Sequence, residues 1–361
     1  MARTEARPGA RTGARAGFHS LTVAAVEALT DDAAAVTLRV PMELDEIFAF
    51  APGQSLTVRR GTDRRSYSIC APAGRPLRIG VREVAGGAVS GWLVRDVRAG
   101  DTLEVQAPAG SFTPDLSVPG HHVLIAAGSG ITPVLSIAGS VLAAQPESAV
   151  TLLYGNRRSN SVMFADDVAD LKDAYTGRMQ LVHLLSREVP EVDLFAGRLD
   201  AVKLRELLPV TVDVARVAHW WLCGPLGMVS DAAGVLAEMG AAPQRVHREL
   251  FYVGDEPPEQ VRHAEAGSAA GAAVTVILDG RASTVVIPPG VPVLDGAQQV
   301  RADLPFACKG GVCGTCRALV TEGKVTMRRN YALEEAELAA GYVLTCQSLP
   351  VTDTVTIDYD S

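Results

Sequence analysis

The sequence predicts a multi-domain chain: a small antiparallel β-barrel, then an α/β domain on a parallel sheet, then a compact α+β domain. Three observations carry that expectation. Residues 18–115 hold short strand-like runs separated by glycine and proline. Residues 116–253 alternate apolar strands with helical stretches, the pattern of a parallel sheet covered on both faces. Residues 273–361 open on a hairpin pattern and carry Cys308, Cys313 and Cys316 in C-x4-C-x2-C spacing, with Cys346 on a later segment. Residues 1–17, with four arginines among Ala, Gly and Thr, read as a disordered tail. Residues 254–272 begin with a Pro pair and continue in Ala, Gly and Ser, which reads as a linker.

Composition sets outer limits. Of 361 residues, 48% are hydrophobic and 20% charged, which excludes disorder throughout. A net charge of −8 argues against a nucleic-acid partner. No apolar run approaches the ~20 residues of a membrane span. Six cysteines with no preceding signal peptide fit a reducing cytoplasm and make disulfides an unfavoured reading.

In the barrel region, Leu21–Val26, Ala35–Val40, Ser66–Cys70, Leu77–Val84 and Thr102–Gln106 read as strands, and Phe50–Val58 as a turn entering another. Arg65-Ser66-Tyr67-Ser68 puts a guanidinium and an aromatic ring on one strand face and two hydroxyls on the other. Such a face suits a flavin ring and its phosphate, although any cross-strand Arg/Tyr pair would look the same. Gly86-Gly87-Ala88-Val89-Ser90 then leads glycines into a short helix, whose free N–H groups can hold an anion or simply be capped. Cys70, between apolar neighbours, reads as a small buried hydrophobe.

The next domain opens on the strand His122–Ala127 and the turn Gly128-Ser129-Gly130-Ile131-Thr132-Pro133, then a helix over 134–143 with Pro133 in its first turn. Strand, glycine turn and helix N-terminus make a phosphate cradle. The spacing is G-x-G-x-x-P rather than the usual dinucleotide G-x-G-x-x-G. Later strands end at Tyr154-Gly155-Asn156-Arg157, Ser186-Arg187 and Cys223-Gly224-Pro225. Ligands of such sheets sit beyond the carboxyl ends of the strands, so these segments converge on one site. Arg157 and Arg187 could pair a 2′-phosphate, and no carboxylate stands directly after Ser186 to select a free 2′-hydroxyl. That favours NADPH over NADH. Trp220 and Trp221 read as core, and Phe251 or Tyr252 could cover a flavin.

The cysteine pattern matches the four thiolates of a plant-type [2Fe–2S] cluster, two per iron. Gly310, Gly311 and Gly314 permit the backbone to curl and aim N–H groups at sulfur. Zinc sites generally need two short C-x2-C pairs, and only one is present.

Loop and tail, with Asn330–Glu334 and Gly341–Ser348, resemble plant-type ferredoxins, which implies their β-grasp fold. The R-x-Y-S and Gly/Ser motifs in this order resemble the flavin domain of the ferredoxin–NADP reductase superfamily. That resemblance implies FAD held by Arg65, Ser66, Tyr67, Ser68, Val81, Gly86, Gly87, Val89 and Ser90. It further implies a nicotinamide nucleotide held by Gly128, Gly130, Thr132, Pro133, Arg157, Ser186, Arg187, Cys223, Gly224 and Pro225, with Cys223 and Ser68 in catalytic positions beside the hydride path. After residue 18 the chain resembles the oxygenase reductases of this superfamily, those of the phenylacetyl-CoA epoxidase type most closely. The expected function is electron transfer from NADPH through FAD and a [2Fe–2S] cluster to a partner di-iron oxygenase. No Glu-x-x-His pair of the di-iron type occurs in the chain, which places oxygen chemistry on another polypeptide. Reductases of other ring or steroid oxygenases share the domain order, and a redox sensor without turnover is the alternative of a different class.

Overall fold

The computed structural model describes residues 17–189, 192–251, 271–333 and 335–361. Residues 1–16 of the expected tail, most of the expected linker, Tyr252 and Glu334 lie outside them. The chain forms two compact units: Ser20–Asp63 with Tyr67–Tyr252, and a second centred on Val253–Ser361.

The first unit begins with a six-stranded sheet in the order β4-β3-β6-β1-β2-β5. Its strands are β1 (Phe18–Thr30), β2 (Ala33–Arg39), β3 (Ser55–Arg60), β4 (Asp63–Ser68), β5 (Arg78–Arg82) and β6 (Thr102–Gln106). The sheet closes on itself where Ile69, just past β4, bridges to Ile79 of β5. Closure removes both free edges, as the barrel reading requires. Leu21, Val36, Leu56, Ile79, Val81 and Leu103 point inward with essentially no exposure. Each such side chain contributes roughly 1.5–3 kcal/mol by leaving water.

The second part of this unit is a five-stranded parallel sheet, order β11-β10-β7-β8-β9. It comprises β7 (His121–Ala127), β8 (Ala149–Asn156), β9 (Met179–Leu185), β10 (Val217–Gly224) and β11 (Val246–Leu250). Helices Ile131–Ala144, Ala165–Ala174, Ala201–Thr211 and Leu226–Glu238 connect the strands. The first starts three residues earlier than the apolar pattern suggested, which keeps Pro133 within the opening turn. From β7 the chain steps outward through β8 and β9, then returns to the other side of β7 as β10. The strand order therefore reverses between β7 and β10, and that switch point is where such sheets bind ligands. Phe112, beyond the last barrel strand, packs edge-on against Trp221, ring centres 5.1 Å apart, in the core of this sheet. Trp220, Trp221 and Cys70 are buried as expected.

The second unit holds a mixed sheet, β13-β12-β18-β14-β16, with a two-stranded ribbon β15-β17. A hairpin of β12 (Ala272–Leu278) and β13 (Arg281–Ile287) turns at Asp279-Gly280. Both turn residues have positive φ, and the Asp360 carboxylate accepts both their N–H groups at 2.8 Å. Helix Val293–Ala297 precedes the cysteine loop; β14 (Arg317–Glu322), β15 (Val325–Met327), helix Glu335–Ala339, β16 (Tyr342–Leu344), β17 (Ser348–Pro350) and β18 (Thr354–Asp358) follow. No helix among the described residues is long and apolar enough to cross a membrane.

Candidate nucleotide, flavin and iron–sulfur sites

At the switch point, the turn after β7 and the end of β10 touch. Gly130 has no room for a side chain: a Cβ there would stand 2.1 Å from the Cys223 carbonyl oxygen and 2.9 Å from the Gly224 nitrogen. Two motifs recognised separately in the sequence thus form one floor. Thr132 is buried and donates to the Ser129 carbonyl at 3.0 Å, and Tyr154 Oη donates to the Gly128 carbonyl at 3.1 Å, so the turn is held from both ends. The first-turn N–H groups of helix Ile131–Ala144 open at this turn and supply an anion site.

Cys223 is fully buried, and burial pushes its thiol well above the usual range. Sheet register places Glu249 of β11 beside it. Oε2 of Glu249 is buried without a hydrogen-bond partner, and burial raises the carboxyl to about 8. The sequence reading missed Glu249. Only the pairing of β10 with β11 brings it to Cys223, and a lone Glu in His247–Phe251 carries no signal. Arg82 was missed as well. It lies on β5, donates to the Ser161 carbonyl at 3.0 Å, and its Nη1 would stand 3.3 Å from a Cβ on Gly128.

Along the carboxyl edge of the sheet, Ser186 N–H donates to the Asn156 carbonyl at 3.0 Å and Arg187 N–H to the Arg157 carbonyl at 2.8 Å. Backbone bonds therefore bring the two expected phosphate-binding arginines together. Both are exposed, and neither has an ion-pair partner among the described residues. Asn156 is buried, with Nδ2 unpartnered.

In the barrel, β4 carries Arg65, Ser66, Tyr67 and Ser68. Arg65 is exposed, Tyr67 packs partly on the barrel core, and Ser68 is buried. Gly86 has φ +72 and Gly87 stands at the N-terminus of helix Ala88–Arg95. The Ser90 hydroxyl accepts from Val84 N–H at 3.1 Å and is within 3.4 Å of the Gly87 carbonyl, so it braces the turn. Backbone N–H groups are what this turn offers a phosphate. Val81 is buried on β5, and Phe251 is partly exposed at the end of β11.

In the second unit none of the four loop and tail cysteines is in a disulfide, and they are arranged as two pairs: Cys308 with Cys313, and Cys316 with Cys346. The hydrogen bond from Cys313, and then backbone N–H groups, lower the Cys308 thiol below the usual range. Gly310 N–H points at Cys308 Sγ (3.3 Å), Cys308 N–H at Cys313 Sγ (3.4 Å) and Gln347 Nε2 at Cys346 Sγ (3.7 Å). Among the described residues no three or more His, Cys, Asp or Glu side chains converge on a single ion. Two thiol pairs with N–H groups aimed at sulfur fit two irons bridged by sulfide, each taking two protein ligands. Gly311 and Gly314 take positive φ as expected; Gly310 does not, and Lys309 does, at +52. Lys309 is held there by its Nζ on Asp295 (2.7 Å) and Gln298 (2.9 Å), while its carbonyl accepts from Gln347.

Three family models cover this architecture: an oxidoreductase FAD-binding domain over residues 20–113, an oxidoreductase NAD-binding domain over 124–234 and a 2Fe-2S iron-sulfur cluster binding domain over 276–351. Fold and sites together define an NAD(P)H-dependent flavin and iron–sulfur oxidoreductase. Over 352 residues the chain is 43% identical to a component of the 1,2-phenylacetyl-CoA epoxidase of Escherichia coli K12, spanning 95% of this chain and 98% of that protein. It is 35% identical to the ferredoxin reductase component of 3-ketosteroid-9-alpha-monooxygenase of Rhodococcus rhodochrous, over 94% of this chain and 96% of that one. The solved phthalate dioxygenase reductase shares the fold, with a TM-score of 0.56 at 23% identity over 95% of this chain and 98% of that one. The chain belongs to the family of flavin-dependent reductases with a C-terminal ferredoxin domain that includes the first two.

Proposed function

We infer that the chain oxidises NADPH and delivers single electrons to a di-iron oxygenase of the phenylacetyl-CoA epoxidase kind, in the cytoplasm. The observation that carries the reading is the packing of Gly130 against Cys223 and Gly224, in a chain whose later cysteines form two pairs. Bound flavin supplies the chemistry that links a two-electron donor to a one-electron cluster. The protein supplies position. The turn Gly128–Gly130 offers N–H groups to the nucleotide pyrophosphate, and Arg157 and Arg187 offer guanidinium forks to a 2′-phosphate. Cys223 and Glu249 form a dry floor that keeps water from the reacting carbon. Arg65, Tyr67 and the glycine turn hold FAD, with Ser68 behind its ring, and the four cysteines hold the cluster. The 43% identity to an epoxidase component supports the choice of acceptor.

The test uses FAD- and iron-loaded protein under argon. NADPH should bleach the flavin, and ferricyanide or cytochrome c should be reduced with turnover. Flavin that stays oxidised under excess NADPH would end the enzyme reading. Arg187→Ala should raise the KM for NADPH at least tenfold more than that for NADH, since a bidentate phosphate contact is worth about 1.5–3 kcal/mol. Equal losses would remove the preference for NADPH.

A further inference from the structure

On β5, Ile79 and Val81 point into the barrel, while Arg78, Gly80 and Arg82 line the opposite face, against the nucleotide half of the same unit. Gly80 does not take a positive φ, so its backbone does not demand glycine. Space does. A Cβ at Gly80 would stand 2.3 Å from Thr132 Cγ2 and 2.8 and 2.9 Å from Cε2 and Cζ of Phe164.

Neither neighbour can retreat. Thr132 is 1% exposed, and its hydroxyl is spent on the Ser129 carbonyl. Phe164 is equally buried and starts helix Ala165–Ala174 from a left-handed conformation, φ 58 and ψ 34. A bulky residue rarely adopts that conformation, and it persists only where the surroundings enforce it. Arg78 is part of that enforcement. Its guanidinium lies 5.1 Å from the centre of the Phe164 ring and pairs at 2.6 Å with both Asp167, on the helix that Phe164 begins, and Glu27 of β1. Arg82 adds its bond to the Ser161 carbonyl on the other side of Gly80. The face therefore runs tie, gap, tie.

We propose that Gly80 is a positioning residue: with Phe164 and Arg78 it sets how closely the turn bearing Thr132 approaches the flavin-binding strand, and so the distance between the bound flavin and nicotinamide rings. This rests on the reading of the two sites given above. A methyl group at Gly80 pushes the halves apart by a fraction of an ångström to an ångström, and hydride transfer falls steeply with such displacement.

The experiment compares wild type, Gly80→Ala, Gly80→Ala/Thr132→Ser and Arg78→Met, all loaded with FAD. Gly80→Ala should bind FAD within about twofold of wild type, judged by quenching of flavin fluorescence. Its flavin should be reduced at least about tenfold more slowly at saturating NADPH, with KM little changed and the long-wavelength charge-transfer band weakened. Thr132→Ser in that background removes the nearest clashing methyl while keeping the hydroxyl, and should recover most of the rate. Arg78→Met adds no bulk, so it provides a check should Gly80→Ala not fold; it should slow reduction while FAD binding holds. Reduction of Gly80→Ala at the wild-type rate, or loss of rate only in step with FAD affinity and melting temperature, would overturn the proposal. Wild-type protein that takes up no FAD would instead overturn the underlying reading, and the spacer with it.

Discussion

Beside the Cys223 thiol sits a carboxyl that keeps its proton near neutral pH. Burial raises Glu249 to about 8, far above its ordinary value of 4.5. Folded protein therefore holds a proton that the unfolded chain releases once pH passes about 4.5. That proton costs stability progressively as pH rises from about 4.5 to about 8, and no further above. Glu249→Gln removes the penalty. Its melting temperature should gain on wild type steadily between pH 5 and pH 8 and then run parallel. A constant offset across that range would mean that Glu249 titrates normally in the fold. The same variant should slow flavin reduction by NADPH, because the nucleotide site loses its titrating group while its shape is kept.

Elements place these residues, and they explain what could be read from the sequence. The cysteine loop was legible because ligand chemistry fixes its spacing: two thiolates per iron from one curled loop and one distant strand. The turn Gly128–Pro133 was legible because strand, glycines and helix start are contiguous. Glu249 and Arg82 were not, because β10 pairs with β11 and β5 meets the turn after β7 only in the folded sheets. Three-residue strands such as β15, β16 and β17 are too short to show a period. Phe164 at φ 58 has no sequence signal, since nothing in its type suggests a left-handed residue. Lys309 takes the positive φ that glycine was expected to provide because Asp295, on a helix outside the loop, holds its side chain. At this scale, Gly130→Ala is the sharp test of the floor. Its new methyl would meet backbone rather than a movable side chain, and it should lower stability by about 1–3 kcal/mol, as overpacked sites do. An unchanged melting temperature and unchanged nucleotide binding would show that the turn and β10 are not locked together.

At the scale of the whole molecule, the order of the parts is the mechanism. A parallel sheet with its switch point between β7 and β10 takes the nucleotide, a closed barrel beside it takes the flavin, and a separate unit carries paired thiols for iron. A hydride donor and a one-electron acceptor cannot exchange directly, so a chain with this order needs all three. The protein should retain a di-iron oxygenase in a pull-down from native cell extract, and the complex should couple NADPH oxidation to oxygen uptake only when the oxygenase substrate is present. The electron path is read out by an anaerobic titration of the FAD- and iron-loaded protein with NADPH, followed by low-temperature electron paramagnetic resonance. Electron flow from NADPH through flavin to iron predicts that NADPH alone generates the rhombic signal of a reduced [2Fe–2S] cluster, and that Cys346→Ser abolishes the signal while the flavin still bleaches. A bleached flavin in the wild type with no iron signal at any NADPH concentration would contradict it.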